Sequence, residues 1–157
     1  MDPASELTLS RLIRETRVAA LGTIHNSEVN LAMVALAHEH DFSGFYIHTS
    51  KLGKHTGDME TNPHVSLLIS ERDDLRADPQ TLARLSIQGT AALLARNTAD
   101  YSRVKEIYLR RFPEAEQLFN LGDFNLWKIS PRGGRFIAGF ARAYNIVPDE
   151  LKRVSKL

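Results

Sequence analysis

Hydrophobic and polar positions alternate along this chain with two different periods, and the switches between them outline the elements. Over residues 3–16, Leu7, Leu9, Leu12 and Ile13 can share one side of a helix, with Pro3 at an early position where its missing N–H costs nothing. From Arg17 to Ser50 come three short apolar runs, broken at His25-Asn26-Ser27 and at Asp41-Phe42-Ser43-Gly44. They predict antiparallel strands near 17–24, 29–38 and 44–49, too closely spaced for crossover helices. The stretch from His48 to Ser70 reads as a strand end, a short polar helix opened by Thr49-Ser50, a stop at Asn62-Pro63 and a fully buried strand over 64–70.

Residues 71–80 are charged and contain Asp78-Pro79, which marks a surface loop. Leu85, Ile87, Gly89, Ala91 and Leu93 then alternate with Arg84, Ser86, Gln88 and Thr90, the pattern of a half-buried strand with one polar face. Tyr101, Val104, Tyr108 and Phe112 recur at helical spacing behind Asn97 as cap, and Pro113 ends that helix and opens a shorter one through Leu118. Two last strands are predicted at 124–130 and 135–142, joined by a Pro131-Arg132-Gly133-Gly134 turn, with a short helix after Pro148. The sum is a single domain, 1–157, mainly β with inserted helices. Six or seven antiparallel strands favour a small barrel over a doubly wound sheet.

Composition narrows the function classes. A net charge of +1 on 157 residues argues against a general nucleic-acid binder. The absence of cysteine excludes disulfides, thiol catalysis and cysteine-based zinc sites. The N-terminal residues lack a signal-peptide pattern and no apolar run reaches membrane-spanning length, so a cytoplasmic protein with no membrane partner is expected. No G-x-G-x-x-G or P-loop occurs. His38 and His40 would share a strand face as metal ligands can, but a polar hairpin end accounts for them and no metal site is assigned. No Ser-His-Asp arrangement is legible.

The chemistry concentrates at Thr49, Ser50, Lys51, Lys54 and His55. On a helix, Lys51, Lys54 and His55 would lie on one face behind a start rich in hydroxyls and free N–H groups. A phosphate or other anion fits that set; so does a solvated, charged helix face.

Thr-Ser-x-x-x-Lys-His, then Asn-Pro seven residues after the His, then an apolar strand, resembles the FMN-binding split β-barrel superfamily that includes pyridoxamine 5′-phosphate oxidase. The phosphate-binding positions of that enzyme fall on Thr49, Lys54 and His55, with His in place of a Lys. The pieces SKLGKHTGDMETNPHVSLLIS, RLSIQGTA, DFNLWKI and GGRFIAGFARAY, in order between Arg17 and Tyr144, look most similar to the heme-utilisation branch. The resemblance implies a split β-barrel homodimer with the cofactor in the cleft between subunits. It places the backbone of Ala32, Met33 and Val34 along a flavin, although core packing would equally explain those residues. His48, Ser50 and Lys51 would flank the phosphate site. Arg84, Ser86 and Gln88 form a polar strand face that a dimer cleft or solvent must receive, with Gln88 reaching a flavin carbonyl or water.

Two departures matter. The ending NIVPDELKRVSKL lacks the Arg and His residues with which the oxidase holds its substrate phosphate, so that activity is not expected. The heme-degrading members ligate iron with a C-terminal His, whereas all six His here lie at or before position 64 and Tyr144 occupies the aromatic slot. The implied function is an FMN-binding oxidoreductase acting on an unidentified small-molecule substrate. A heme-binding or heme-degrading protein without flavin, and a non-catalytic flavin-binding protein, are the alternatives. In each case the cofactor supplies the chemistry and the protein orients and shields it.

Overall fold

The computed structural model describes all 157 residues. Eight strands form one sheet: β1 (Val18–His25), β2 (Glu28–Ala35), β3 (Ala37–His38), β4 (Phe45–Ser50), β5 (His64–Ser70), β6 (Arg84–Leu93), β7 (Phe124–Ile137) and β8 (Ala143–Ile146). Their order is β2-β1-β5-β6-β7-β4-β3, with β8 on β7. Every pairing is antiparallel. The sheet curls into a split barrel around one core. Five helices decorate it: α1 (Pro3–Glu15), α2 (Lys54–Thr61), α3 (Ala99–Arg111), α4 (Glu116–Phe119) and α5 (Pro148–Val154). None is long and apolar enough to cross a membrane.

The period-2 pattern decides what enters the barrel. Leu21 of β1, Ile47 of β4, Leu67 and Ile69 of β5, Leu85 and Ile87 of β6 and Ile129 of β7 all point into one cluster. Helices α1 and α5 pack on each other and add Leu9, Ile13 and Val154. Asp2 caps α1 by accepting from the Ser5 N–H at 3.0 Å. A smaller cluster lies on the other face of β4 and β7, where Tyr46 and Leu126 meet Val104 and Tyr108 of α3 and Phe119 of α4.

Five details depart from the sequence reading. The strand over 64–70 is not fully buried: Val65, Leu67 and Ile69 are buried, and the alternate residues face outward. The run at 29–38 is two strands, because after Ala35 the chain leaves β1 and Ala37–His38 pair with β4 instead. Helix α2 starts at Lys54 behind Gly53, so Thr49 and Ser50 end β4 and open no helix, and Lys51 lies in the turn between. Helix α3 is capped by Thr98, with Asn97 in a left-handed conformation before it.

The largest departure is at Pro131–Gly134, which is no turn. β7 runs straight through it for 14 residues. The reversal comes at Ala138–Arg142, where Gly139 takes φ +128° and the Ala138 N–H donates to the Arg142 carbonyl. The glycines that suggested a turn serve close approach instead. A Cβ on Gly134 would lie 2.4 Å from the Ser86 carbonyl oxygen, and one on Gly89 would lie 2.6 Å from Ile129 Cγ2.

These contacts separate glycines needed for space from those that are not. Gly57, exposed in the interior of α2, has nothing within 4 Å of a built Cβ. Gly57→Ala should raise stability by about 0.5–1 kcal/mol. Gly134→Ala must part β6 from β7 and should cost ~2–3 kcal/mol. Urea unfolding midpoints of the two variants against the parent check both signs.

Candidate functional site

Strands that bury one face leave the other to solvent, and on β1 and β2 that second face is largely apolar, while β5 and β6 add Leu68 among polar residues. Val29, Leu31 and Met33 of β2 are 72%, 76% and 75% exposed. With Ala20, Gly22 and Ile24 of β1 and Leu68 of β5, part of this face forms an open groove of about 550 Å³. Its polar groups are few. Ser66 and Gln88 sit opposite each other across β5 and β6, and Ser86 lies one pair along, opposite Leu68.

His64, at the start of β5, stands in the groove with its ring free of hydrogen bonds; only its backbone N–H is held, by Asn62 Oδ1 at 3.0 Å. Arg132 is the extra residue where the β6–β7 register shifts, since Gly89 pairs with Pro131 and Gln88 with Gly133. The bulge aims this residue into the groove.

A second polar cluster sits where α2 meets the β1–β2 hairpin. Asp58 of α2 is buried, and its carboxylate accepts from the Thr23 hydroxyl at 2.7 Å and from Asn30 Nδ2 at 2.9 Å. His25 Nδ1 lies 3.2 Å from the other oxygen. Burial alone would raise the Asp58 pKa. The Thr23 and Asn30 hydrogen bonds, with the charges of His25 and Lys54, outweigh it and hold the carboxyl below its ordinary value. Asn30 is the bridge, because its Oδ1 accepts from Lys54 Nζ at 2.8 Å.

The structure scatters the residues singled out in the sequence. Thr49 is buried, and its hydroxyl meets that of Thr56 at 3.0 Å. Thr56 in turn donates to the Ser50 carbonyl at 2.7 Å, so Thr49 is the donor to Thr56. Ser50 donates to Asp123 Oδ2 at 2.9 Å. Lys51 and Lys54 are exposed. The His55 ring folds back over Gly53, and burial pulls its pKa below the ordinary value against the pull of Asp58. Arg84 turns onto the preceding loop, donating to the Gln80 carbonyl at 2.8 Å and the Leu82 carbonyl at 3.1 Å. Of the β2 residues, Val34 enters the core, Ala32 is half-buried and Met33 faces out, so core packing accounts for Val34 and not for Met33. β2 is a sheet edge with one row of backbone groups unpaired by strand. Of the polar strand face, Ser86 and Gln88 reach the groove and Arg84 does not.

His48 has a different setting. It faces α3 and α4, stacked on Phe119 with centroids 3.9 Å apart and edge-on to Tyr108. Both ring nitrogens are buried without partners. Tyr144 is engaged as well: its hydroxyl donates to Asp2 Oδ2 at 2.7 Å. The groove residues His64 and Arg132, and the cluster of Thr23, His25, Asn30 and Asp58, were missed in the sequence. For His64 a signal existed, the alternation of His64, Ser66 and Leu68 against Val65, Leu67 and Ile69. For Asp58 there was none, because its partners come from two other elements.

A family model described as pyridoxamine 5′-phosphate oxidase matches residues 8–138. Heme oxygenase HutZ of Vibrio cholerae is 28% identical over 109 residues, covering 69% of this chain and 62% of that protein. The chloroplastic heme oxygenase HOZ of Arabidopsis thaliana is 35% identical over 95 residues, 60% of this chain and 27% of that protein. The matches thus span less than two thirds of either relative's length. A heme binding protein from Mycobacterium smegmatis superposes with a TM-score of 0.84 over 98% of this chain and 61% of that one; at 17% identity this shows a shared fold.

The His48 setting has a pH consequence. Burial pushes its pKa down to about 4, with the charges of Arg96 and Lys105 acting in the same sense. The folded state therefore holds His48 neutral, while the unfolded chain takes up a proton below ~6.5. Stability from this group is whole above that pH and is lost as pH falls towards 4. His48→Phe keeps the stack and should flatten this part of the profile. Urea midpoints at pH 7 and pH 4.5 check it: an equal fall in parent and variant would show that His48 titrates normally.

Proposed function

This chain belongs to the pyridoxamine 5′-phosphate oxidase family, and within it we propose a heme-binding protein of heme utilisation, with heme breakdown as the reaction class. The observation that carries this reading is the groove: an apolar sheet face bearing an unpartnered imidazole, His64, and a cation, Arg132, in a chain whose curated relatives are named heme oxygenases. The donor set fits heme in kind. An apolar floor suits the macrocycle, a neutral imidazole nitrogen suits iron, and a guanidinium suits a propionate. Tyr144 is not the ligand in this reading, because its hydroxyl serves Asp2.

Bound heme would supply iron that activates oxygen. The chain's own part is to bind and to exclude water. Ala20, Ile24, Leu31 and Leu68 wall the groove with side chains that offer no hydrogen bond. Gln88 and Ser66 are the polar groups placed to orient a substrate there. The FMN reading draws its support from the family and from Lys54. It is the weaker of the two because the hydroxyls of Thr49 and Ser50 are committed to Thr56 and Asp123.

The groove is open on one side, and we assign its lid to a second copy of this chain. Val29, Leu31 and Met33 leave apolar surface in water along β2, and a homodimer would bury it with an interface of at least the ~1,600 Å² standard size.

Two measurements test these proposals. Titration of the purified protein with hemin should give a stoichiometric Soret band, weakened at least ten-fold in affinity by His64→Ala and unchanged by Tyr144→Phe. A protein that purifies with a flavin spectrum and ignores hemin would overturn the heme reading. Light scattering at micromolar concentration should give a dimer, which Leu31→Asp converts to monomer without loss of helical and strand signal in circular dichroism; a monomeric parent would remove the lid.

A further inference from the structure

A second concavity, sharing no residue with the groove, has the opposite chemistry. It measures about 480 Å³ and lies between the end of α1, the turn that follows β3 and the last turn of α3. Arg14, Arg110 and Arg111 line it together with His38 and His40. None of these arginines is in an ion pair. The one acid in the lining, Glu39, is already used: its Oε2 accepts from Arg103 at 2.6 Å and from the Tyr46 hydroxyl at 2.7 Å.

The guanidiniums are held in place by groups that do not cancel their charge. Arg14 donates to the Ser155 carbonyl at 2.5 Å and lies 5.0 Å from the centroid of the Phe42 ring. Arg111 donates to the Thr16 carbonyl at 2.5 Å and rests on His38 Nε2 at 3.3 Å, and its Nε is buried with no partner. His38 Nδ1 lies 2.9 Å from the Glu39 carbonyl oxygen, so Nδ1 carries the proton and Nε2 accepts from Arg111. The Arg110 side chain is exposed and makes no hydrogen bond, a free arm at the rim.

Fixed like charges around a concavity are held at an electrostatic cost, and an anion between them removes it. The crowding leaves its mark on the neighbours: burial and the Arg17 charge lower the Arg111 pKa, and burial with the Arg111, Arg14 and His40 charges lowers that of His38. Planar guanidiniums match phosphate oxygens in pairs, which a lysine cluster would not. Ala37 and Ile107 give the same pocket a small apolar wall.

We infer that this pocket is a binding site for a small oligophosphate, a diphosphate group held by Arg14 and Arg111 with Arg110 closing over it. The diphosphate can be free or part of a nucleotide, and the two are separated by using inorganic pyrophosphate and ADP as probes. Isothermal titration of the full chain at low salt should show 1:1 binding of pyrophosphate per chain, at least ten-fold tighter than sulfate. Arg110→Ala should weaken it about ten-fold, Arg110→Glu should abolish it and Arg110→Lys should restore part of it, since this exposed side chain holds no structure together. Raising salt should weaken binding steeply. ADP binding more tightly than pyrophosphate would assign the site to a nucleotide, and ADP binding more weakly would assign it to the free anion; either supports the site. No binding at millimolar pyrophosphate would overturn the inference, as would equal affinity for sulfate or binding indifferent to Arg110→Glu. The hemin titration reads a different set of residues, so either result stands without the other.

Discussion

The fold hangs on β7 remaining a single strand. It pairs with β4 over Phe124–Ile129, with β6 from Trp127 to Ile137 and with β8 over Gly134–Ile137. A strand that long in a tightly curled sheet must bend, and the bulge at Gln88/Gly89 opposite Pro131–Gly133 is where it does so. There Gly134 meets the Ser86 carbonyl and Gly89 meets Ile129 Cγ2 and the Ser130 carbonyl more closely than a Cβ permits, which is why glycine stands at both. The same bulge leaves Arg132 over and turns it towards the groove, so the curvature of the barrel and the one cation of the apolar face have one cause.

Buried polar groups are satisfied unequally. Asp58 sits inside the barrel rim as a charge, which is tolerable because four groups from the β1–β2 hairpin and α2 surround it. The network locks the hairpin onto α2 and draws in Lys54 through Asn30. By contrast, the His48 ring nitrogens are buried with no hydrogen bond against the aromatic side chains of α3 and α4, and that burial, with the charges of Arg96 and Lys105, lowers its pKa. One buried group thus fixes an element by electrostatics, the other by packing.

Two surfaces of unlike physics remain after the core is accounted for. The β1–β2–β5–β6 face offers apolar area with a single imidazole and a single guanidinium, suited to a flat apolar ligand and to a second protein surface. The pocket beside β3 gathers three guanidiniums with a short apolar wall of Ala37 and Ile107, suited to a small anion. Neither borrows residues from the other.

Much of the architecture was legible in the chain because it is written in local periodicity. The alternation from Arg84 to Ala91, the stripe of Val104 and Tyr108 and the Pro at the start of α5 each constrain a few neighbouring residues and each appears as read, while Leu93, expected on the buried side, is exposed. The family resemblance was legible for the same reason, carried by contiguous pieces such as the residues before Asn62-Pro63. The errors fall where a local signal has two tertiary causes. Pro131-Arg132-Gly133-Gly134 carries turn chemistry, yet the glycines answer to Ser86 on another strand. Thr49-Ser50 looks like a helix start, yet both hydroxyls turn to partners in Thr56 and Asp123 that only folding brings near. The sequence by itself determined which stretches alternate and that the fold is an antiparallel barrel with inserted helices. Only the tertiary structure decided which outward faces meet, because the placing of Arg132 beside His64, or of Arg14 beside Arg111, depends on sheet order and curvature that no local pattern encodes.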